Sequence, residues 1–264
     1  MTDPTDRFGS YSQFQNPKSV ACNSRGDILV AEYFNHRIQV YDRNKKVLPA
    51  FGTQGSRRGE FSGPSHVFFN RKTNEIVVSD TLKHRLQIFD EKGAFKMAFG
   101  EHGTGDGQFQ FPFGVVDSEG NYVVADQNNN RVQIFDPAGK YLHKFGSEGI
   151  ENGQLRQPVG LGILSNGNIV VSENDNHRLQ IFSPQDQFHS VSFLGAEMLK
   201  NPCGLCVDSE DRIYVADSGY QRVLIFLQTG QLMKIIKTGV LSPSGVCVDH
   251  DDRIIICGES EVLM

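Results

Sequence analysis

Two cysteines with C-x-x-C spacing, Cys203 and Cys206, are the first residues in this sequence whose arrangement could do chemistry. That spacing is used by redox-active dithiols and by one half of a zinc site. The sequence contains no second C-x-x-C, and Cys206 occupies the same place in an apolar run as Cys22 and Cys247. We therefore interpret these cysteines as small core side chains and expect neither a metal nor a cofactor.

Five acidic residues each precede an arginine by five positions, which is the second pattern with chemical meaning. The pairs are Glu32 and Arg37, Asp80 and Arg85, Asp126 and Arg131, Glu173 and Arg178, and Asp217 and Arg222. A carboxylate and a guanidinium placed across a tight turn form a fork-shaped hydrogen-bonded pair. Because one function rarely needs five copies, we interpret the pairs as framework rather than as an active site.

Composition limits the classes of function. The 26 basic and 31 acidic residues give a net charge of −5, which argues against a protein that coats DNA or RNA through phosphate neutralisation alone. Five cysteines, an odd number, form no disulfide framework and fit a reducing, cytoplasmic setting. No apolar run reaches the roughly 18 residues of a membrane span, and the polar start lacks the apolar core of a signal peptide.

Prolines mark an internal repeat that governs the whole chain. They recur every 41 to 48 residues, each opening a short apolar run, at positions 17, 64, 112, 158, 202 and 243. The unit that begins at Pro112 parses into four strands at residues 113–116, 122–125, 131–135 and 141–145, separated by Asp, Gly, Asn and Pro clusters. Four short strands per repeat are typical of one blade of a β-propeller.

The repeat predicts an all-β fold with almost no helix: a six-bladed β-propeller of four-stranded antiparallel blades, forming one domain over residues 1–264. The blades are expected at approximately 17–52, 64–100, 112–146, 158–195, 202–236 and 243–264. The last repeat lacks a fourth strand, and Arg7-Phe8-Gly9 matches the end of one. We therefore expect residues 7–9 to pair with residues 261–264, so that the N-terminal strand completes the last blade and closes the ring. The abrupt end at Met264 suggests a piece excised from a longer polypeptide.

The repeated motif resembles the NHL repeat, which is named after the letters Asn-His-hydrophobic. It stands as Asn35-His36-Arg37 and Asn176-His177-Arg178, each followed by hydrophobic-Gln-hydrophobic-aromatic, with variants at residues 83–85, 129–131 and 220–222. Blade six departs from the motif with Gly258-Glu-Ser-Glu261. The motif histidines lie one blade apart, too far for the ~2 Å ligand distances of one metal, so we expect structural polar contacts.

The resemblance is to the NHL domains of tripartite-motif (TRIM-NHL) proteins and their relatives. Several of these are known for binding RNA on one propeller face and repressing messenger RNAs, often beside a RING ubiquitin ligase module, whereas other members bind proteins. The resemblance thus implies a binding module without catalytic residues, acting in post-transcriptional regulation. It also marks His66, where an RNA-binding relative has a basic residue after a blade-opening proline.

Departures from the repeat consensus give the candidate site, because they are what the fold does not require. Cations and aromatics gather in the loops of blades one to three: Lys18, Tyr33, Phe34, Arg57, Arg58, His66, Lys83 and Phe113. Aromatic rings stack on unpaired bases while lysines and arginines hold phosphates. We therefore expect the face that carries them to bind short single-stranded RNA, U-rich sequences included, with the isolated domain a monomer.

Two alternatives stay open at this level. The first is a platform that recruits substrates or partners to a ubiquitin-ligase-type protein, anchored by Tyr33, Phe34 and Phe113. The second is a propeller lyase, which would need a channel-bound metal; among the first-strand positions only His66 offers a plausible ligand. We expect no enzyme activity from this domain.

Overall fold

Six small antiparallel sheets, arranged as blades around a central axis, make up the computed structural model, which describes residues 7–8, 14–118, 120–183 and 198–264. From the axis to the rim, blade 1 contains Pro17–Cys22, Ile28–Glu32, Arg37–Tyr41 and Val47–Phe51; blade 2 contains Pro64–Asn70, Glu75–Asp80, Arg85–Asp90 and Phe95–Phe99; blade 3 contains Pro112–Ser118, Asn121–Asp126, Arg131–Phe135 and Tyr141–Phe145. Each blade begins at a repeat proline, as the sequence predicts.

The second half of the ring repeats this order. Blade 4 contains Pro158–Ile163, Ile169–Glu173 and Arg178–Phe182; blade 5 contains Pro202–Val207, Ile213–Asp217, Arg222–Phe226 and Leu232–Lys237; blade 6 contains Pro243–Val248, Ile254–Gly258, Glu261–Leu263 and Arg7–Phe8. The fourth strand predicted for blade 4 falls in residues 184–197, outside the described residues.

Ring closure follows the sequence prediction. Arg7 pairs with Leu263 and Phe8 pairs with Val262, both antiparallel. The first strands of neighbouring blades contact one another all the way round, including those of blades 6 and 1. The fold is therefore the predicted six-bladed propeller, closed by its N-terminal strand.

Burial changes systematically from the axis to the rim. Second strands are buried on both faces, as in Ile28–Glu32, because each is covered by the two adjacent blades. Fourth strands alternate between half-buried and exposed residues, as in Phe95–Phe99, because their outer face meets solvent. The core consists of apolar clusters that each join two neighbouring blades, such as the one in which Phe61 and Phe89 meet with ring centroids 5.5 Å apart.

Helix is limited to single 3-10 turns in the loops between second and third strands, at Thr81–Lys83, Gln127–Asn129 and Ser218–Tyr220. Within the described ranges, no helix has the length and apolar character needed to cross a membrane. The connectors between blades carry short parallel pairings, of which Glu101–His102 with Gln108–Phe109 is the longest.

A register shift interrupts the first strand of every blade within four residues of its start. Such a β-bulge bends the strand and redirects the side chains at the break. In blade 1 the shift lies between Pro17 and Ser19. The bulges therefore decide which residues after each proline face the central channel.

Candidate functional site

The repeated carboxylates are buried hydrogen-bonding centres, and blade 3 shows the arrangement in full. The Asp126 side chain is 0% exposed. It accepts hydrogen bonds from Arg131 Nε at 2.8 Å, Asn129 Nδ2 at 2.8 Å, Gln133 Nε2 at 3.1 Å and the backbone N–H of Gln110 at 2.7 Å. One carboxylate thus ties the second strand, the third strand and the preceding connector together.

The other four repeats place their acid and arginine in the same way. Arginine Nε donates to the carboxylate in Arg85 to Asp80 (2.8 Å), Arg178 to Glu173 (2.7 Å), Arg222 to Asp217 (2.7 Å) and Arg37 to Glu32. All five carboxylates are fully buried. Buried acids with these partners are occupied by the framework and offer nothing to a ligand.

The arginines also hold the connectors, a role that sequence reasoning missed. Arg131 Nη2 donates to the backbone carbonyls of Gly105 at 2.7 Å and Gln108 at 3.0 Å. Arg85 makes the corresponding bonds to Arg57 and Glu60 at 2.9 and 3.0 Å. The path of each connector is therefore fixed by the blade that follows it.

The motif histidines act as clips between blades. His36, His84 and His177 all have left-handed backbones, with φ from 52° to 54°. Their Nδ1 atoms accept the backbone N–H of the residue before the next proline: Gly63 to His36 at 3.1 Å, Phe111 to His84 at 3.2 Å and Asn201 to His177 at 3.1 Å. Within the described ranges no three His, Cys, Asp or Glu side chains are grouped to hold a metal ion.

A cavity of about 720 Å³ runs along the propeller axis, lined by the first strands. We call the face where these strands begin the upper face; it carries the connectors and the loops between second and third strands. At the upper mouth the cavity is lined by Lys18, Phe113, Gln127, Asn174 and Cys203. A volume of this size is in the range of small-ligand sites.

The structure brings three of the eight candidate residues to this cavity: Lys18, His66 and Phe113. Tyr33 and Phe34 form a second group in the upper loop of blade 1, with ring centroids 5.2 Å apart and planes at 79°. Phe34 is 60% exposed, so one face of its ring is open to a ligand. Lys83 is exposed in the upper loop of blade 2.

Arg57 and Arg58 lie elsewhere, at the rim. Arg57 Nε is 3.1 Å from Glu60 Oε1, and the Arg58 guanidinium sits 5.9 Å from the ring centroid of Phe95. Phe95 belongs to the outermost strand of blade 2. The sequence grouped these arginines with the channel residues because the course of the connector was unknown.

His66 is a neutral group inside the channel rather than a surface cation. Ser19 Oγ donates to the Val67 carbonyl at 3.4 Å, so the 3.3 Å contact between Ser19 Oγ and His66 Nδ1 has the imidazole N–H as donor. Nε2 is then an acceptor, buried and without a hydrogen-bond partner among the described residues. Burial lowers the pKa of His66 to about 4, so the ring offers a hydrogen bond but no charge at neutral pH.

The pKa of His66 predicts a specific acid sensitivity. As the pH falls, the unfolded chain binds a proton near the ordinary pKa of about 6.5, whereas folded His66 does so only near 4. Stability is therefore lost as the pH falls through this window, and we expect about 2–3 kcal/mol more loss between pH 7 and 4 than in a His66→Gln variant. Urea unfolding of both proteins at pH 7, 5 and 4 measures this; parallel pH profiles would contradict it.

Two residues at the upper mouth were missed by sequence reasoning: Gln127 and Asn174. Each directly follows a repeat carboxylate, Asp126 or Glu173, and lines the cavity. Their position was readable in principle, because the residue after the carboxylate differs in every blade and opens the loop beside the channel. Their amides add donors and acceptors to a mouth that the sequence described only by cations and rings.

Comparison with known proteins supports the repeat assignment. The family model described as NHL repeat matches residues 14–41, 155–182 and 199–226, which fall in blades 1, 4 and 5. The protein named brain tumor, from Drosophila melanogaster, is 34% identical over 73 residues. That match covers 26% of this chain and only 7% of the fly protein.

Solved structures support the fold. A gluconolactonase from Xanthomonas campestris superposes with a TM-score of 0.78 at 15% identity, covering 99% of this chain and 93% of that one. Virginiamycin B lyase from Staphylococcus aureus superposes with a TM-score of 0.70 at 12% identity, covering 97% of each chain. At these identities the likeness concerns the propeller architecture alone.

Proposed function

The chain is an NHL-repeat β-propeller, and from this premise we propose that its upper face binds short single-stranded RNA as the targeting module of a post-transcriptional regulator. The observation that carries the proposal is the combination at blades 1 to 3. An exposed aromatic pair stands in an upper loop, and a lysine, a phenylalanine and amides surround the channel mouth.

Each group has a distinct role in this proposal. Phe34, held edge-on by Tyr33, provides a preformed surface on which a base stacks. Lys18 at the mouth neutralises a phosphate, and Phe113 supplies a second ring. Unpaired bases expose their edges, which the amides of Gln127 and Asn174 can read.

The charge balance predicts how this binding depends on salt. With a net charge of −5 and few cations at the mouth, only a few phosphates are neutralised. Each neutralised phosphate contributes about −0.7 to the slope of log K against log salt on single strands. Affinity is thus expected to rest mostly on stacking and base contacts, with a shallow salt dependence.

The test is selection of the purified domain against a random RNA pool at about 150 mM salt, where long-range attraction is screened. We expect a short enriched motif, bound by the wild-type protein far better than the starting pool. Phe34→Ala should weaken binding of that motif about tenfold, in line with one lost base stack. Lys18→Ala should make the salt slope shallower by about 0.7, in line with one lost phosphate contact.

A matched control separates the channel mouth from the rim. The Arg57→Ala, Arg58→Ala double variant removes two cations from the upper side but leaves the mouth intact, so it should change affinity by less than about threefold. Equal binding of random and selected RNA would overturn the proposal. Capture of a protein partner that is lost in Phe34→Ala would then assign the same aromatic pair to protein recognition.

A further inference from the structure

The channel contains a thiol pair that RNA binding does not use. Cys22 Sγ and Cys247 Sγ lie 3.5 Å apart, on the first strands of blades 1 and 6. Both line the axial cavity, and Cys206 lines it from the first strand of blade 5. All five cysteines are free thiols in this structure.

The pair spans the junction that closes the ring. Blade 6 is completed by a strand of only two residues, Arg7–Phe8, which is short for the element that joins the two ends of the chain. Cys22 and Cys247 occupy equivalent positions on adjacent first strands, pairing with Ile28 and Ile255 in their own blades. A covalent bond between them would therefore lock blade 1 to blade 6 at the axis.

We propose that Cys22 and Cys247 form a reversible disulfide when the protein meets a peroxide oxidant. The sulfur atoms must approach from 3.5 Å to about 2.05 Å, a movement that side-chain rotation and a small strand shift can supply. Hydrogen peroxide is no larger than the water-sized space that the axial cavity offers at both sulfurs. This inference concerns the channel wall and does not depend on RNA binding.

The reaction balances in two steps. The Cys22 thiol, on losing its proton, attacks one peroxide oxygen; the O–O bond breaks, hydroxide leaves as water, and Cys22 becomes a sulfenic acid. The sulfur of Cys247 then attacks the sulfenic sulfur, its proton leaves, and the S–O bond breaks to release a second water. Two thiols lose two electrons and one peroxide gains them.

The order of attack follows from the surroundings of Cys247. Its contact with Cys22 and its burial raise the pKa of the Cys247 thiol well above the usual value. Cys247 therefore stays protonated at neutral pH and is a poor first nucleophile. Burial also raises the pKa of Cys206 above its usual range, which leaves Cys22 as the attacking thiol and makes the reaction slow.

The consequence for the protein is a stabilised ring. The bond would close a loop between residues 225 positions apart, and cross-links that close long loops restrict the unfolded chain most. We expect the Tm to rise by about 5–10 °C on oxidation. A reducing agent should return it to the starting value.

The test uses the purified domain, treated with hydrogen peroxide and then alkylated, digested and analysed by mass spectrometry without reduction. We expect one linked peptide pair that joins Cys22 to Cys247, with the Tm increase appearing in the same sample. Cys22→Ala and Cys247→Ala should each abolish both changes. Cys206→Ala and Cys203→Ala keep the pair intact and should retain both.

Peptide mapping of the wild-type protein decides the proposal even if a variant fails to fold. A disulfide that joins Cys206 to either member would overturn the assignment. Complete alkylation of Cys22 and Cys247 after peroxide treatment, with an unchanged Tm, would overturn disulfide formation itself.

Discussion

Asp126→Ala is expected to lower the free energy of unfolding by about 3–5 kcal/mol. The substitution removes the acceptor for Arg131, whose side chain is only 8% exposed, and so leaves a buried cation without its partner. It also strips acceptors from the backbone N–H of Gln110 and from the amides of Asn129 and Gln133. Breaking a buried pair costs more than the pair contributes, because the remaining groups cannot return to water.

A matched aspartate in the same blade provides the control. Asp106 and Lys144 form an ion pair of 2.6 Å, but their side chains are 50% and 43% exposed. Asp106→Ala should therefore cost less than about 1 kcal/mol. Urea titration of the two variants beside the wild-type protein measures the difference, and equal losses would show that the buried carboxylate does not hold the blade together.

Much of the fold was predictable because the sequence repeats its own turns. For blade 3 the predicted strands 131–135 and 141–145 coincide with Arg131–Phe135 and Tyr141–Phe145. The first strand is longer than predicted, Pro112–Ser118 instead of 113–116. Turn residues delimit the outer strands sharply, whereas the proline pairs with the second strand and belongs to the sheet.

The connectors were not predictable in the same way. Nothing local in residues 52–63 indicates that Arg57 and Arg58 are carried to the rim. Their path is set by Arg85 and Gln87 of the following blade, which bond to the carbonyl of Glu60 at 3.0 and 2.7 Å. Such contacts lie 25 or more residues apart in the chain, beyond the reach of a pattern read along it.

The character of His66 also depends on tertiary structure. As a letter in the sequence it is a weak base that follows a blade-opening proline. Only the channel wall reveals that burial keeps it neutral and leaves its Nε2 without a partner among the described residues. The sequence could thus place His66 near the site but could not assign its charge.

Glycine at the matching position of other blades explains why His66 has room in blade 2. In blades 4, 5 and 6 this position is Gly160, Gly204 or Gly245, and the next first strand packs directly against it. A Cβ at Gly204 would lie 2.7 Å from the Ser244 carbonyl, and one at Gly245 would lie 2.9 Å from Ser19 Cα. The ring is therefore tight on one side and open to side chains on the other.

Gly160→Ala tests this asymmetry and is expected to destabilise the protein by about 3 kcal/mol, because overpacking against a rigid backbone forces the strands apart. Its Cβ would lie 2.5 Å from both the Cys203 carbonyl and Ser172 Oγ, and a closed ring leaves blade 5 little freedom to retreat. Gly105→Ala is the control: its Cβ would meet only the mobile end of the Gln108 side chain, at 3.0 Å, so the change should stay within about 0.5 kcal/mol. Urea unfolding of both variants gives the comparison; equal stabilities would mean that first-strand spacing is adjustable and that His66 owes its place to something other than the room left beside it.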